Sequence, residues 1–128
     1  MNYLSLEQIL YLHKESIRKF GGTLGTRDME LVKAAIMQPR QSAFGKDAYP
    51  TIFDKAAVLL HAITKNHPFL DGNKRTAFIS AYILLTVNGY KLIATNQEAI
   101  DFMLNIASNS KNKIKDISSW LQKHSKKA

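Results

Sequence analysis

KAAVLLHAITKNHPFLDGNKRTAFISAYILLTV, residues 55–87, is the stretch that decides how this chain folds. Two runs dominated by Ala, Leu, Ile and Val flank a short polar segment. Each run is too long for a typical strand and suits a helix buried on most of its surface. The first helix is expected to start near Thr51, with Asp54 completing a capping box, and to run to about Asn66. The second is expected from about Asn73 to the Asn88-Gly89 stop signal. The polar segment between them is therefore a connection between two central helices.

Outward from this pair the chain reads as further helices. In SLEQILYLHKESIRKF, Leu6, Ile9, Leu10, Ile17 and Phe20 form one apolar stripe, Ser5 and Gln8 make a capping box, and Gly21-Gly22 ends the helix. TRDMELVKAAIMQ reads as a second helix with Thr26 as N-cap and Asp28 in the first turn, stopped by Pro39. PRQSAFGKDAYP, residues 39–50, is an irregular bridge. TNQEAIDFMLNIAS opens with the box Thr95/Glu98, and IKDISSWLQKH forms a last amphipathic helix anchored by Trp120. No convincing strand alternation, internal repeat or low-complexity segment is present. The expected class is all-α: a compact bundle of about six helices in one domain, residues 1–128.

Composition limits the function classes. The 128 residues include no cysteine, so neither a disulfide framework nor a thiolate metal site is available, and a reducing cytoplasm is the expected setting. MNYLSLEQIL lacks the charged and apolar regions of a secretory leader, and no run approaches the roughly 18 apolar residues of a membrane span. The net charge is +8, and five of those charges lie in residues 111–128, where six lysines face only Asp116. Such a tail is ordinarily a solvated face; contact with an acidic partner or RNA is the alternative.

The connection HPFLDGNKRTAF, residues 67–78, carries more chemistry than a linker needs. Its end is a helix N-terminus, where free backbone N–H groups and the positive end of the helix dipole attract anions. Gly72 permits close approach of a ligand to the backbone, and Lys74 and Arg75 add two cations, the arginine able to hold phosphate oxygens with both arms of its fork. A polyphosphate is the expected guest. His67 suits a general base taking a proton from an attacking hydroxyl, since the reference pKa of an imidazole is near neutral. Asp71 is the single carboxylate that Mg²⁺ uses beside substrate phosphates and water. The competing roles are simple ones, His67 capping the preceding helix and Asp71 the following one. His61 and His67, six residues apart, do not share a helical face and lack the company of a zinc site. His13 and His124 read as surface or partly buried packing residues.

HPFLDGNKR resembles the core motif of the Fic/Doc superfamily: histidine, then Phe, an acidic residue, Gly or Ala, Asn, a variable residue and Arg. GGTLGTRD (21–28), YPTIFDKAAVLL (49–60) and NGYKL (88–92) resemble the death-on-curing (Doc) branch, so the resemblance spans nearly the whole chain. It implies a toxin of a toxin–antitoxin pair. Lys74 stands where adenylyl-transferring Fic enzymes usually carry Gly, which implies transfer of the ATP γ-phosphate to a protein hydroxyl, a threonine of elongation factor Tu, and so a halt to translation. By the same resemblance His67 would deprotonate the acceptor, Asp71 would hold Mg²⁺, and Gly72, Asn73, Lys74 and Arg75 would bind phosphates, while Phe69 is a core anchor. Residues 39–50 would form the flap that docks the target, as a hairpin or an open loop, with Arg40 and Lys46 on substrate or facing water. The inhibitory pattern Ser/Thr, three residues, Glu, then Gly or Asn is incomplete here: Thr26 and Glu30 are followed by Leu31. Inhibition in trans by a small antitoxin is the corresponding expectation. Two other classes remain, an adenylyltransferase and a non-enzymatic basic module that binds RNA or ribosomes.

Overall fold

In the computed structural model, which describes residues 1–108 and 113–128, six helices carry the architecture. They are α1 (Leu6–Phe20), α2 (Met29–Met37), α3 (Ile52–Asn66), α4 (Asn73–Thr86), α5 (Asn96–Ser108) and α6 (Ile114–Lys123). Their ends follow from local chemistry. Ser5 accepts from Gln8 N while the Gln8 side chain accepts from Ser5 N, and Thr51 and Asp54 do the same at α3. Thr95 and Glu98 close the third predicted box at the start of α5.

One predicted cap is corrected. Thr26 does not start α2; Asp28 does, its Oδ1 accepting from Glu30 N at 3.0 Å and Leu31 N at 3.3 Å. Thr26 is drawn away because residues 25–28 run extended beside the 67–72 connection, forming an isolated antiparallel bridge between Thr26 and Phe69. That pairing satisfies backbone groups of both segments, and the helix has to begin after it.

Eleven of the fifteen α3 residues are buried, which makes α3 the central helix, packed against α4, α6 and α2. The core joins Leu59, Leu60 and Ile63 of α3 to Leu84 and Leu85 of α4, Ile9 of α1, Ile106 of α5, and Ile117 and Leu121 of α6. Trp120 does anchor α6: its ring stacks on Phe102 of α5 at 3.8 Å and on His124 at 4.0 Å.

The sequence reading found no strands, and the described residues include four short ones. β1 (Ser42–Ala43) and β2 (Lys46–Asp47) form an antiparallel hairpin after a 3₁₀ turn at Gln38–Arg40, so the 39–50 bridge is a hairpin and not an open loop. Phe44 and Gly45 at its tip both have positive φ, the requirement of a two-residue type I′ turn. β3 (Tyr90–Leu92) pairs antiparallel with β4 (Ser125–Lys127). Strands of two or three residues cannot show a period of two, which is why pattern alone misses them. Among the described residues no helix is long and apolar enough to cross a membrane. Of the basic tail, Lys111 lies outside the described residues, while Lys113, Lys115, Lys123, Lys126 and Lys127 lie within them.

Candidate active site

The connection between α3 and α4 is a rigid loop because other segments hold it from three sides. α3 ends at His67, which takes the left-handed conformation (φ 49°) as C-cap, its N–H still bonded to Ile63 O. For a non-glycine residue this is an uncommon geometry that its surroundings must enforce. The enforcing group is Arg27. Its Nε donates to His67 O at 2.7 Å and its Nη2 to Asn66 O at 2.6 Å, while the backbone N–H groups of Arg27 and Asp28 both donate to Pro68 O. Three successive carbonyls at the end of α3 are thereby met, and a cation sits at the negative end of the helix dipole.

Phe69 next turns inward. Its side chain is 1% exposed, as expected of the core anchor, and its backbone is locked by Asn73, whose Oδ1 accepts from Phe69 N and whose Nδ2 donates to Phe69 O, both at 3.0 Å. The Asn73 side chain thus braces the loop, and what it turns toward an anion is its backbone N–H. Leu70 is exposed, and its N–H donates to Gly25 O at 3.0 Å.

Asp71 is exposed but not free to turn. Its Oδ2 accepts from Thr23 N at 3.0 Å and its Oδ1 from Gly72 N at 2.8 Å. The Thr23 N–H, and after it that of Gly72, hold its carboxyl below the usual aspartate range, so it is ionised at neutral pH. The segment carrying Thr23 can approach because residue 22 is glycine: at φ 118°, an added Cβ would stand 2.6 Å from Asp71 Oδ2.

Gly72, at φ 74°, is the N-cap of α4, and no side chain caps this helix. The first amides of α4, from Asn73 to Arg75, have no carbonyl one turn earlier to bond within the helix, the arrangement that receives anions. Lys74 is exposed beside them. Arg75 is held by a hydrogen bond from Nη2 to Gly21 O at 3.0 Å and by the Phe20 ring at 5.5 Å, which leaves the rest of its fork for a ligand. These groups surround a cleft of about 390 Å³ lined by His67, Leu70 and residues 71–75. The structure therefore brings together all six site residues inferred from the sequence.

The donor set fits a phosphate-bound Mg²⁺. Among the described residues no three or more His, Cys, Asp or Glu side chains gather as a metal cage. A metal here would rest on the ionised Asp71 and on ligands brought by substrate and water, which is how Mg²⁺ sits beside phosphates.

Sequence reasoning missed the braces. Arg27, Thr23 and Gly22 lie in GGTLGTRD, whose glycines signalled unusual backbone without saying what it was for. His13, expected to be a packing residue near the surface, is 2% exposed and directly behind the loop. Its place on the Ile9/Ile17 stripe of α1 was the available signal. The other histidines do not line the cleft: His61 lies on α3, where burial, and then Lys65, pushes its pKa down, and His124 donates from Nδ1 to Trp120 O of its own helix at 2.8 Å while its Nε2 lies 3.3 Å from Glu98.

The fold and this loop define a class. The model of the Fic/DOC family matches residues 3–85, well over half the chain, and the chain belongs to that family. It is 44% identical over 89 residues to the protein named Toxin Doc of Mycolicibacterium smegmatis, covering 66% of this chain and 68% of that one. It is 33% identical over 92 residues to the protein named Protein kinase doc of Escherichia phage P1, covering 72% of each.

Proposed function

We propose that this protein is the toxin of a toxin–antitoxin pair and an ATP-dependent kinase that transfers the γ-phosphate to a protein hydroxyl, a threonine of elongation factor Tu. The observation that carries the reading is the single cleft in which the α4 N-terminus, Lys74 and Arg75 face an ionised Asp71 and the His67 imidazole. The names of the two relatives support it, one a toxin and the other a protein kinase. The acceptor protein comes from the resemblance to Doc toxins.

The chemistry asked of the site is modest, since phosphoryl transfer depends mainly on positioning and on neutralising charge. The α4 amides, Lys74 and Arg75 bind the phosphates. The acceptor oxygen bonds to the γ-phosphorus, the bond from that phosphorus to the β–γ bridging oxygen breaks, and ADP leaves. His67 takes the hydroxyl proton on its imidazole nitrogen. Asp71, together with phosphate oxygens, would hold Mg²⁺, which supplies charge neutralisation when bound. Lys74 fills space that a glycine would leave open and adds a charge, which favours an orientation that presents the γ-phosphate.

Residues 42–47 form the hairpin beside which an acceptor segment docks. Restraint comes in trans: Glu30 pairs with Lys33 at 3.4 Å, and Arg75 is engaged by Gly21 O, so neither member of a built-in inhibitory contact meets the other. A small antitoxin supplies the missing contact.

The test is intact-protein mass spectrometry of elongation factor Tu incubated with this protein, ATP and Mg²⁺. The expected result is a gain of one phosphoryl group, absent with His67→Ala. An adenylyl-sized gain would overturn the kinase assignment in favour of an adenylyltransferase. Toxicity that survives His67→Ala would point to the non-enzymatic RNA- or ribosome-binding reading.

A further inference from the structure

We infer that His13 is a positioning residue for the anion-binding loop: by fixing the peptide plane between Asp71 and Gly72 it sets both the Asp71 carboxylate and the entry to α4. The inference rests on reading the cleft as a nucleotide site. His13 belongs to α1, outside the 67–75 motif, yet its side chain touches that motif twice and lies beside it at a third point. The ring lies parallel to Phe69 with centroids 3.9 Å apart and 10° between planes. Its Nε2 is 2.8 Å from Asp71 O. The same nitrogen stands 3.9 Å from the place where a Cβ on Gly72 would lie.

A ring only 2% exposed has little water to satisfy it, so its nitrogens must find protein partners. A carbonyl oxygen can only accept, so Nε2 carries the hydrogen and donates it. That bond constrains more than one atom. Asp71 C=O and Gly72 N–H belong to one planar peptide unit and point to opposite sides of it. With the oxygen held by His13, the N–H must point the other way, where it donates to Asp71 Oδ1 at 2.8 Å. Without the pin this unit is the one most free to rotate, because Gly72, at φ 74°, pays little to exchange left-handed for other conformations. Rotation would remove one of the two N–H groups that hold the Asp71 carboxylate and would reorient the peptide that leads into α4. Phe69, on which the ring stacks, is itself tied to Asn73, so His13 presses on a loop already fixed at its other end.

Two variants separate the donor from the ring. His13→Phe keeps the stack on Phe69 and removes the donor; His13→Gln keeps an N–H donor and loses most of the ring. Amide hydrogen exchange of Gly72 and Thr23 in the nucleotide-free protein, both donors to Asp71, reads the loop directly. In His13→Phe their exchange should quicken about fivefold and Mg²⁺–ADP should bind about fivefold more weakly by calorimetry, the worth of one hydrogen bond from a side chain to a backbone carbonyl. His13→Gln should stay closer to wild type in both. Equal behaviour of the two variants, or unchanged exchange in His13→Phe, would overturn the inference. Should His13→Phe fail to fold, long-range ¹H–¹⁵N correlations of the wild-type histidine decide it: hydrogen on Nε2 supports the pin, and hydrogen on Nδ1 refutes it. Exchange and tautomer are read without nucleotide, so a wild type that binds no Mg²⁺–ADP defeats the kinase reading and leaves the role of His13 separately tested.

Discussion

Replacing Arg27 by alanine would remove a side chain that does not line the cleft and still should impair it. The guanidinium donates to His67 O at 2.7 Å and Asn66 O at 2.6 Å. Hydrogen bonds to a charged group are worth about 1.5–3 kcal/mol when buried. Arg27 is exposed, so water competes for both ends and about 0.5–1 kcal/mol per bond is the better figure. The loss comes to about 1–2 kcal/mol, and for a domain of this size that lowers Tm by roughly 4–8 °C. Folding would survive at 25 °C. Activity should fall further than unfolding explains, because His67 at φ 49° is held in a conformation costing about 1–3 kcal/mol. Freed of Arg27, the residue relaxes toward ordinary geometry and carries its imidazole with it. If the competent pose drops to about a tenth of the population, kcat/KM falls about tenfold. Arg27→Lys offers one point charge in place of a fork and should recover stability better than activity. The assays are thermal unfolding followed by calorimetry and initial rates of phosphate transfer to the protein acceptor. An Arg27→Ala protein with wild-type kcat/KM would refute the idea that this contact sets the pose of His67.

Two further outcomes follow from the braces of the loop and a third from the ion pair beneath the hairpin. Gly22→Ala would place a Cβ 2.6 Å from Asp71 Oδ2 at a φ of 118°, so the carboxylate or the 21–23 backbone must move; the Mg²⁺ concentration giving half-maximal rate should rise several-fold, with about 1–3 kcal/mol lost in urea unfolding. The backbone N–H groups that lower the Asp71 pKa stabilise its ionised form, so this contribution is complete above its ordinary value of 3.8 and disappears as pH falls through the lower folded value; the carboxyl ¹³C titration of Asp71 should have its midpoint below 3.8 in the wild type and move up toward it in Gly22→Ala. Lys55, 2% exposed, donates to Pro39 O at 3.1 Å and meets Asp47 of the hairpin at 3.6 Å; Asp47→Ala should cost about 1–3 kcal/mol by leaving that buried ammonium without a counter-charge, and Asp47→Ala added to Lys55→Met should cost almost nothing more, as a double-mutant cycle in urea would show.

The parts of the molecule legible in the sequence are those governed by local chemistry. Capping boxes at Ser5, Thr51 and Thr95 mark three helix starts because each is made by residues three apart. The apolar runs around residues 55–87 identify the central pair because burial on most sides leaves few polar positions. The six site residues were legible because they lie within nine consecutive positions. What could not be read depends on pairing between distant segments. Thr26 looks like a cap until Phe69 pairs with it, and nothing near Thr26 announces Phe69. His13 looks like a packing residue until the Asp71 carbonyl arrives 2.8 Å away. The β3–β4 pair joins residues 90–92 to 125–127, and its strands are too short to show alternation.

A consequence for reading such motifs is that the reactive groups and the groups that aim them lie in different parts of the chain. Residues 67–75 supply an imidazole, a carboxylate and two cations, but a loop with those residues alone would have a histidine free to leave its left-handed conformation, a freely rotating Asp71–Gly72 peptide and a mobile arginine. Each freedom is removed by residues 13–28: Arg27 acts on His67, His13 and Thr23 on Asp71, and Gly21 O on Arg75. Catalysis by positioning requires the reacting groups to be held within about 0.5 Å, so the distant segment contributes to rate although it brings no reactive atom. A chain that kept HPFLDGNKR and lost this brace would retain every group of the motif and still be expected to turn over slowly. Gly22, Arg27 and His13 are therefore the positions at which an intact motif is distinguished from a working site.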